Sequence, residues 1–389
     1  MTSWLKDRTA IAGIGQTEFS KESGRSELQL ACEAVKAALD DAGLTPADVD
    51  GLVTFTMDTS DETEVARNLG IPSLSMFSRV PYGGGAAAGT VLQAAMAVAT
   101  GVADVVVCYR AFNERSGFRF GGAPGGGGAG FPPWLAWYAP YGLMTPAAWV
   151  ALHSRRYMER YGVTNEDFGA IAVVDRKHAA TNPAAWFYER PITIEDHQAS
   201  RWIIEPVLRL LDCCQESDGG VALVVTSTER ARDLQQRPAI ITTAVQAANY
   251  DSETITAYYR DDLTGLPEMA TAAAKLWATS GLTPDDISTA FLYDHFTPFV
   301  FMQLEELGFC ERGEARHFAT VENLSVGGRL PINTNGGLLG EAYIHGMNGI
   351  AEGVRQIRGT SYNQVDDVTH VLVTAGTGVP TSALILGQP

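Results

Sequence analysis

Hydrophobic positions along this chain come as short β-type runs separated by stretches with helical spacing. Apolar segments stand at 9–13, 51–56, 103–110 and 221–226, and again at 239–245, 289–296, 368–375 and 382–386. Between them, Ala31, Val35, Ala38 and Ala42 lie close to one face of a helix. Gly43 follows where a helix C-terminus takes a left-handed residue. Strands alternating with helices predict α/β layering.

The pattern occurs twice. A helix over 31–42 runs into Gly43-Leu44-Thr45-Pro46-Ala47-Asp48-Val49 and the strand at 51–56. A helix over 271–280 runs into Gly281-Leu282-Thr283-Pro284-Asp285-Asp286-Ile287 and the strand at 289–296. Gly83-Gly84-Gly85 opens a helical stretch to about Thr100, and Gly336-Gly337 opens another to about Arg358. Two similar halves imply a pseudo-twofold duplication, with 1–111 and 212–232 as the N-terminal half and 233–389 as the C-terminal half. Residues 112–211 form a loop or cap insertion. It carries a glycine-rich tract at 121–130 and the aromatics Phe131, Trp134, Trp137, Tyr138, Tyr141 and Trp149. These suit a packed cap over the two halves, an apolar wall for a large ligand, or both; Trp134 and Tyr138 are the substrate-binding candidates among them.

Composition narrows the function classes. A length of 389 residues allows two or three structural units at roughly 100–200 residues each. The balance of 45 acidic to 28 basic residues, net −17, lacks the basic footprint of a nucleic-acid binder. No apolar run approaches the roughly 18 residues of a membrane span. The opening residues show no apolar signal-peptide core, so a cytoplasmic protein is expected. Five cysteines (Cys32, Cys108, Cys213, Cys214, Cys310) with no CxxC spacing read as reduced core thiols, and metal binding is not expected. Gly13-Ile14-Gly15 lacks the third glycine of a dinucleotide fingerprint.

Several motifs carry a resemblance across the whole chain. They are Ala12-Gly13-Ile14-Gly15-Gln16-Thr17-Glu18-Phe19, the segments 155–164, 177–183 and 191–201, the stretch from Glu205-Pro206 to Asp212-Cys213-Cys214, and Ser217-Asp218-Gly219-Gly220. On these the sequence resembles the thiolase superfamily, sterol-carrier-protein type. The resemblance implies a thiolase fold of duplicated α/β/α/β/α layers. At the catalytic positions the chain departs from true thiolases. The nucleophile's segment reads Val80-Pro81-Tyr82-Gly83-Gly84-Gly85-Ala86-Ala87, without cysteine or serine. Tyr293-Asp294-His295-Phe296 stands where the family has His-Asp-Cys-Phe. Tyr343 replaces the histidine of the Gly-His-Pro motif, and Thr374-Ala375-Gly376-Thr377-Gly378 matches the C-terminal cysteine loop. A covalent acyl-enzyme lacks its nucleophile there.

Two tyrosines in place of two histidines resemble the thiolase-like lipid-transfer-protein aldolases of bacterial steroid side-chain degradation. That resemblance implies retro-aldol cleavage of a 17-hydroxy steroid side-chain acyl-CoA to a 17-ketosteroid and propanoyl-CoA. It also implies a DUF35 domain of a MaoC-type hydratase as partner, a homodimer core and a heterotetramer. No cofactor is implied, coenzyme A entering as part of the substrate. Such a cleavage needs a base for the hydroxyl, a stabiliser for the thioester enolate and an acid for its carbon. Tyr293 and Tyr343 are the acid/base candidates, with Tyr293 preferred as base, and His295 steadies a phenol or phenolate. Amides near Gly84, Gly85 or Gly376 face the thioester oxygen, and His345 is a further substrate-binding candidate. Arg115, Arg119 and Arg201 are candidates for coenzyme A by charge. The alternatives are another β-hydroxyacyl or β-ketoacyl thioester as substrate, or a non-catalytic acyl-CoA or lipid carrier.

Overall fold

The computed structural model describes residues 5–81, 83–117, 119, 135–253, 257–376 and 381–389. Its strands are β1 (Thr9–Gln16), β2 (Gly51–Phe55), β3 (Met76–Val80), β4 (Val105–Asn113), β5 (Trp202–Ile204), β6 (Leu208–Arg209), β7 (Asp218–Ser227), β8 (Ala239–Ala247), β9 (Thr289–Phe291), β10 (His370–Ala375) and β11 (Thr381–Gly387). Among the described residues, nine of them form one sheet in the order β3-β2-β4-β7-β1-β8-β11-β10-β9, and β5 and β6 form a separate ribbon.

The duplication is written into this order. In the first half β7 is antiparallel to both β1 and β4, and β2 runs parallel to β4. In the second half β11 is antiparallel to both β8 and β10, and β9 runs parallel to β10. The halves meet where β1 pairs antiparallel with β8, Ala10 opposite Ile240. The repeated turn is the same device twice. Gly43 and Gly281 end their helices at φ 72° and 73°, the left-handed conformation that costs glycine least. The Asp48 carboxylate accepts the Thr45 N–H at 2.9 Å, and that of Asp286 accepts the Thr283 N–H at 2.8 Å.

Helices Ala87–Ala99 and Met347–Arg358 share one buried apolar layer between the halves, through Ala87, Val91 and Ala94 on one and Ile350, Ala351 and Val354 on the other. Burying that layer supplies the main driving force for closing the two halves on each other. Helix Glu27–Ala42 covers the other face of the first-half sheet, and helix Pro267–Ser280 packs over β8 and β11.

Two expectations are revised. The strand at 289–296 stops at Phe291, because Leu292 N–H donates to the Asn333 side chain and Tyr293 N–H to Thr374 Oγ1, each at 2.9 Å. The helical stretch after Gly336-Gly337 is broken into a single turn, Gly337–Gly340, and the helix Met347–Arg358. The insertion's helices Pro146–Tyr161 and Asn165–Thr181 share a core with second-half residues such as Phe299, Phe301 and Leu372, while its glycine-rich tract at 121–130 and Phe131 lie outside the described residues. Strand β3 was not marked by the hydrophobic pattern; it is an edge strand that leaves Phe77 exposed.

Candidate active site

Two irregular segments, one after β9 and one in the helix break, meet over the glycine turn of the first half. Tyr293 is held by its backbone: Gln303 Nε2 donates to its carbonyl at 2.8 Å, and its N–H is taken by Thr374. The next residue, Asp294, accepts Leu338 and Leu339 N–H at 2.8 and 3.0 Å, which ties this segment to the turn Gly337–Gly340. Helix Asn165–Thr181 lies against that turn so closely that a Cβ on Gly336 would stand 2.6 Å from the Ala179 methyl.

The break itself is fixed from below. Buried Glu341 accepts from Asn348 at 2.8 Å and from Asn182 at 3.1 Å, as well as from Asn335. His345 and Gly346 both take positive φ, 50° and 85°, turning the chain before the helix resumes. Tyr343 N–H donates to Ser217 Oγ at 3.1 Å. The outcome is a contact between the Tyr293 and Tyr343 hydroxyls at 2.9 Å.

The glycine turn is the floor of this pair. A Cβ at position 84 would coincide with the Tyr293 hydroxyl, and one at position 83 would lie 2.9 Å from His345 Nε2. The tyrosine hydroxyl and a side chain at 84 are therefore mutually exclusive. Ser382 Oγ pins the turn by donating to the Gly85 carbonyl at 2.8 Å and accepting Gly89 N–H at 3.0 Å.

Electrostatics keep the site neutral. Burial raises both phenols well above their ordinary value, and neighbouring Glu114 pushes the same way. In the pair one hydroxyl donates to the other, which keeps its own proton to offer outward. His295 lies 5.0 Å from the Tyr293 ring, and burial draws it down to about 3, so it is an uncharged imidazole. His345 is stacked on Phe112 at 4.9 Å and held well below its usual value by burial and the nearby Arg110. Arg110 Nε donates to His345 Nδ1 at 3.1 Å. A neutral imidazole that accepts at Nδ1 carries its proton on Nε2, the atom facing Gly83. Arg110 is paired in turn with Asp58 at 3.1 Å, both side chains buried.

The structure thus brings Tyr293, Tyr343, His295, His345, Gly84 and Gly85 together. Gly376 leaves β10 at φ 70°, and the turn Gly84–Ala86 packs on β10 and β11. Tyr138 is buried against Trp149, and a relay of rings separates it from His295: Tyr258 at 5.2 Å, then His153, Phe299 and His295. Trp134 lies outside the described residues. Arg115 and Arg119 both reach Glu216, at 3.4 and 2.6 Å, while Arg201 is exposed beside β5. All five cysteines are unpaired, and burial raises the Cys214 thiol far from the thiolate a nucleophile needs. Among the described residues no three His, Cys, Asp or Glu side chains gather to hold a metal.

Sequence reasoning missed Arg110, Asp58, Glu114 and Ser217. Arg110 left a signal as a charged residue closing the apolar run Val105-Val106-Val107-Cys108-Tyr109, and Ser217 stood in the motif Ser217-Asp218-Gly219-Gly220 without a role assigned to it.

The thiolase C-terminal domain-like family model matches residues 247–388. The steroid side-chain-cleaving aldolase of Thermomonospora curvata is 69% identical over 99% of both chains. The 17-hydroxy-3-oxo-4-pregnene-20-carboxyl-CoA lyase of Mycobacterium tuberculosis is 65% identical over 98% of this chain and all of its own. The solved Ltp2-ChsH2(DUF35) aldolase superposes with a TM-score of 0.94, at 69% identity and 99% coverage of both chains. With its nucleophile position held by glycine and two tyrosines meeting above it, the chain belongs to the thiolase superfamily, in its branch of steroid side-chain-cleaving aldolases.

Proposed function

We propose that this enzyme cleaves a 17-hydroxy steroid side-chain acyl-CoA by a retro-aldol reaction, giving a 17-ketosteroid and propanoyl-CoA. The observation that carries the proposal is the 2.9 Å contact of the Tyr293 and Tyr343 hydroxyls over a turn that holds no nucleophile. The names of the two relatives supply the substrate class.

Tyr293 takes the proton of the 17-hydroxyl and passes its own to Tyr343 across their hydrogen bond while the C17–C20 bond breaks and its electron pair moves into the thioester enolate. Tyr343 protonates C20. His345 Nε2–H and the amides around Gly84, Gly85 and Gly376 face the enolate oxygen, where fixed donors stabilise developing charge without reorganising. His295 braces the Tyr293 ring. No cofactor enters these steps; coenzyme A is part of the substrate.

The chain works as a homodimer through the edge strand β3, with a DUF35 domain of a MaoC-type hydratase on each subunit, a heterotetramer with C2 symmetry. It acts in the cytoplasm, where five unpaired cysteines persist reduced.

The test is to incubate the chain, co-purified with a DUF35 partner, with a 17-hydroxy steroid side-chain CoA thioester and follow products by mass spectrometry. Appearance of 17-ketosteroid and propanoyl-CoA is the expected result. Ligand bound without cleavage points to a different thioester, or to a carrier.

A further inference from the structure

We propose that Arg110 is a positioning residue for the enolate donor: anchored on Asp58, it fixes the ring and the tautomer of His345 so that Nε2–H stays aimed at the glycine turn. The proposal rests on the reading of His345 Nε2–H as a donor to the enolate oxygen.

The anchor is built first. Asp58 Oδ1 accepts Ser60 N–H at 2.8 Å, and its Oδ2 accepts Ala111 N–H at 3.2 Å and Arg110 Nη1 at 3.1 Å. Arg110 Nη1 also donates to the Ala111 carbonyl at 2.9 Å. With that edge of the guanidinium fixed, Nε–H donates to His345 Nδ1 at 3.1 Å. The guanidinium carbon lies 4.1 Å from the centre of the Phe112 ring, and the imidazole lies 4.9 Å from it at 15° to its plane. Both flat groups therefore stack on one aromatic surface. Flipping the imidazole in its own plane would keep that stack but set a ring carbon against Arg110 Nε–H, leaving a buried donor unmade.

Two observations say that the contact serves His345 and not Arg110 alone. A carboxylate or carbonyl would satisfy a buried guanidinium N–H more strongly than an imidazole nitrogen, which accepts only while the ring is neutral. His345 also stands at φ 50°, a left-handed conformation that glycine or asparagine adopts at less cost. A histidine held there against its backbone preference is kept for its side chain.

The far nitrogen reaches the site. Nε2 lies 2.9 Å from where a Cβ on Gly83 would stand, next to the position that the Tyr293 hydroxyl fills, and the Tyr343 ring is 5.0 Å from the imidazole. Burial and then Arg110 keep the ring from taking a second proton. A fixed neutral donor backed by a buried cation stabilises charge developing on the enolate oxygen without reorganising.

The test uses the complex with its DUF35 partner. His345→Asn suits the left-handed backbone and keeps an acceptor near Arg110, but its side chain stops short of the Nε2 position. His345→Gln places an amide N–H near that position on a less suitable backbone. His345→Asn should lower kcat by about a hundredfold or more, and His345→Gln by about tenfold or less. An Asn variant as active as the Gln variant overturns the proposal. Asp58→Asn/Arg110→Leu removes both buried charges together, so neither is stranded. It should lower kcat by about tenfold or more with KM within about threefold, and lower the melting temperature as the guanidinium leaves Phe112. Placed in a His345→Asn background, it should change kcat by less than about twofold, since the group it positions is gone. A kcat loss of equal size in both backgrounds overturns the proposal, as does an Asp58→Asn/Arg110→Leu enzyme within about twofold of wild type. If that variant fails to assemble, the Gln and Asn variants decide: Gln above Asn supports the proposal and the reverse overturns it. A wild-type complex that gives no products fails the underlying reading instead, and is distinguished by that control.

Discussion

The two halves of this molecule place a glycine-opened helix at the same point of the same sheet plan, and they use it in opposite ways. In the first half the helix Ala87–Ala99 runs unbroken from the turn Gly84–Ala86, and position 84 has no side chain because the Tyr293 hydroxyl fills that space. In the second half the corresponding stretch breaks after Gly340, turns through left-handed His345 and Gly346, and resumes at Met347. That break presents Tyr343 and His345. One half has become floor and frame, while the other carries the proposed acid–base groups. Duplication supplies two equivalent addresses, and local backbone irregularity decides which of them does chemistry.

The sharpest way to break this division is at the frame. Arg110→Leu leaves buried Asp58 unpaired and frees His345, and should cost about 3–5 kcal/mol of stability by urea unfolding. A stable Arg110→Leu enzyme that loses only turnover would make the first half a chemical participant. Gly84→Ala comes next. It should cost about 1–3 kcal/mol through overpacking and lower kcat by roughly ten- to a hundredfold by displacing the Tyr293 hydroxyl. Its stability cost should shrink in a Tyr293→Phe background, because the two groups compete for one space; an equal cost in both backgrounds contradicts the geometry.

The smallest effects compare the repeated turns. Asp48 and Asp286 are both held below the ordinary value of 3.8, chiefly by the backbone N–H groups of Thr45 and Thr283. A lowered carboxyl pKa contributes stability above the unfolded value, and that contribution is lost as pH falls through the folded one. Asp48→Asn and Asp286→Asn should therefore give small drops in urea midpoint at neutral pH, fading below about pH 4, the larger at Asp48, whose carboxylate also pairs with Arg230 at 3.3 Å. A larger drop at Asp286 would mean that the shared turn is not what sets the effect.

The alternation of strands and helices, and its duplication, were legible because burial on both faces of the sheet leaves near-continuous apolar runs. Strand β3 was not, since an edge strand reading Met-Phe-Ser-Arg-Val carries no such run. Tyr293 and Tyr343 were legible as departures from a family motif. Their contact was not, because it depends on a helix break that the spacing from Gly337 to Arg358 does not announce. A left-handed histidine is uncommon, and nothing in the residue type at 345 signals it. Glu114 and Asp58 carry no signal in the sequence, since their burial is set by neighbours distant in the chain: Ser217 for the first and Arg110 for the second.

The most direct test of the tyrosine chemistry is the turnover of Tyr293→Phe and Tyr343→Phe in the DUF35-bound complex, measured beside equilibrium binding of the steroid thioester. Each loss of one hydroxyl should lower kcat by about a hundred- to ten-thousandfold while substrate binding and melting temperature stay near wild type. Cleavage persisting at the wild-type rate in either variant would contradict the account.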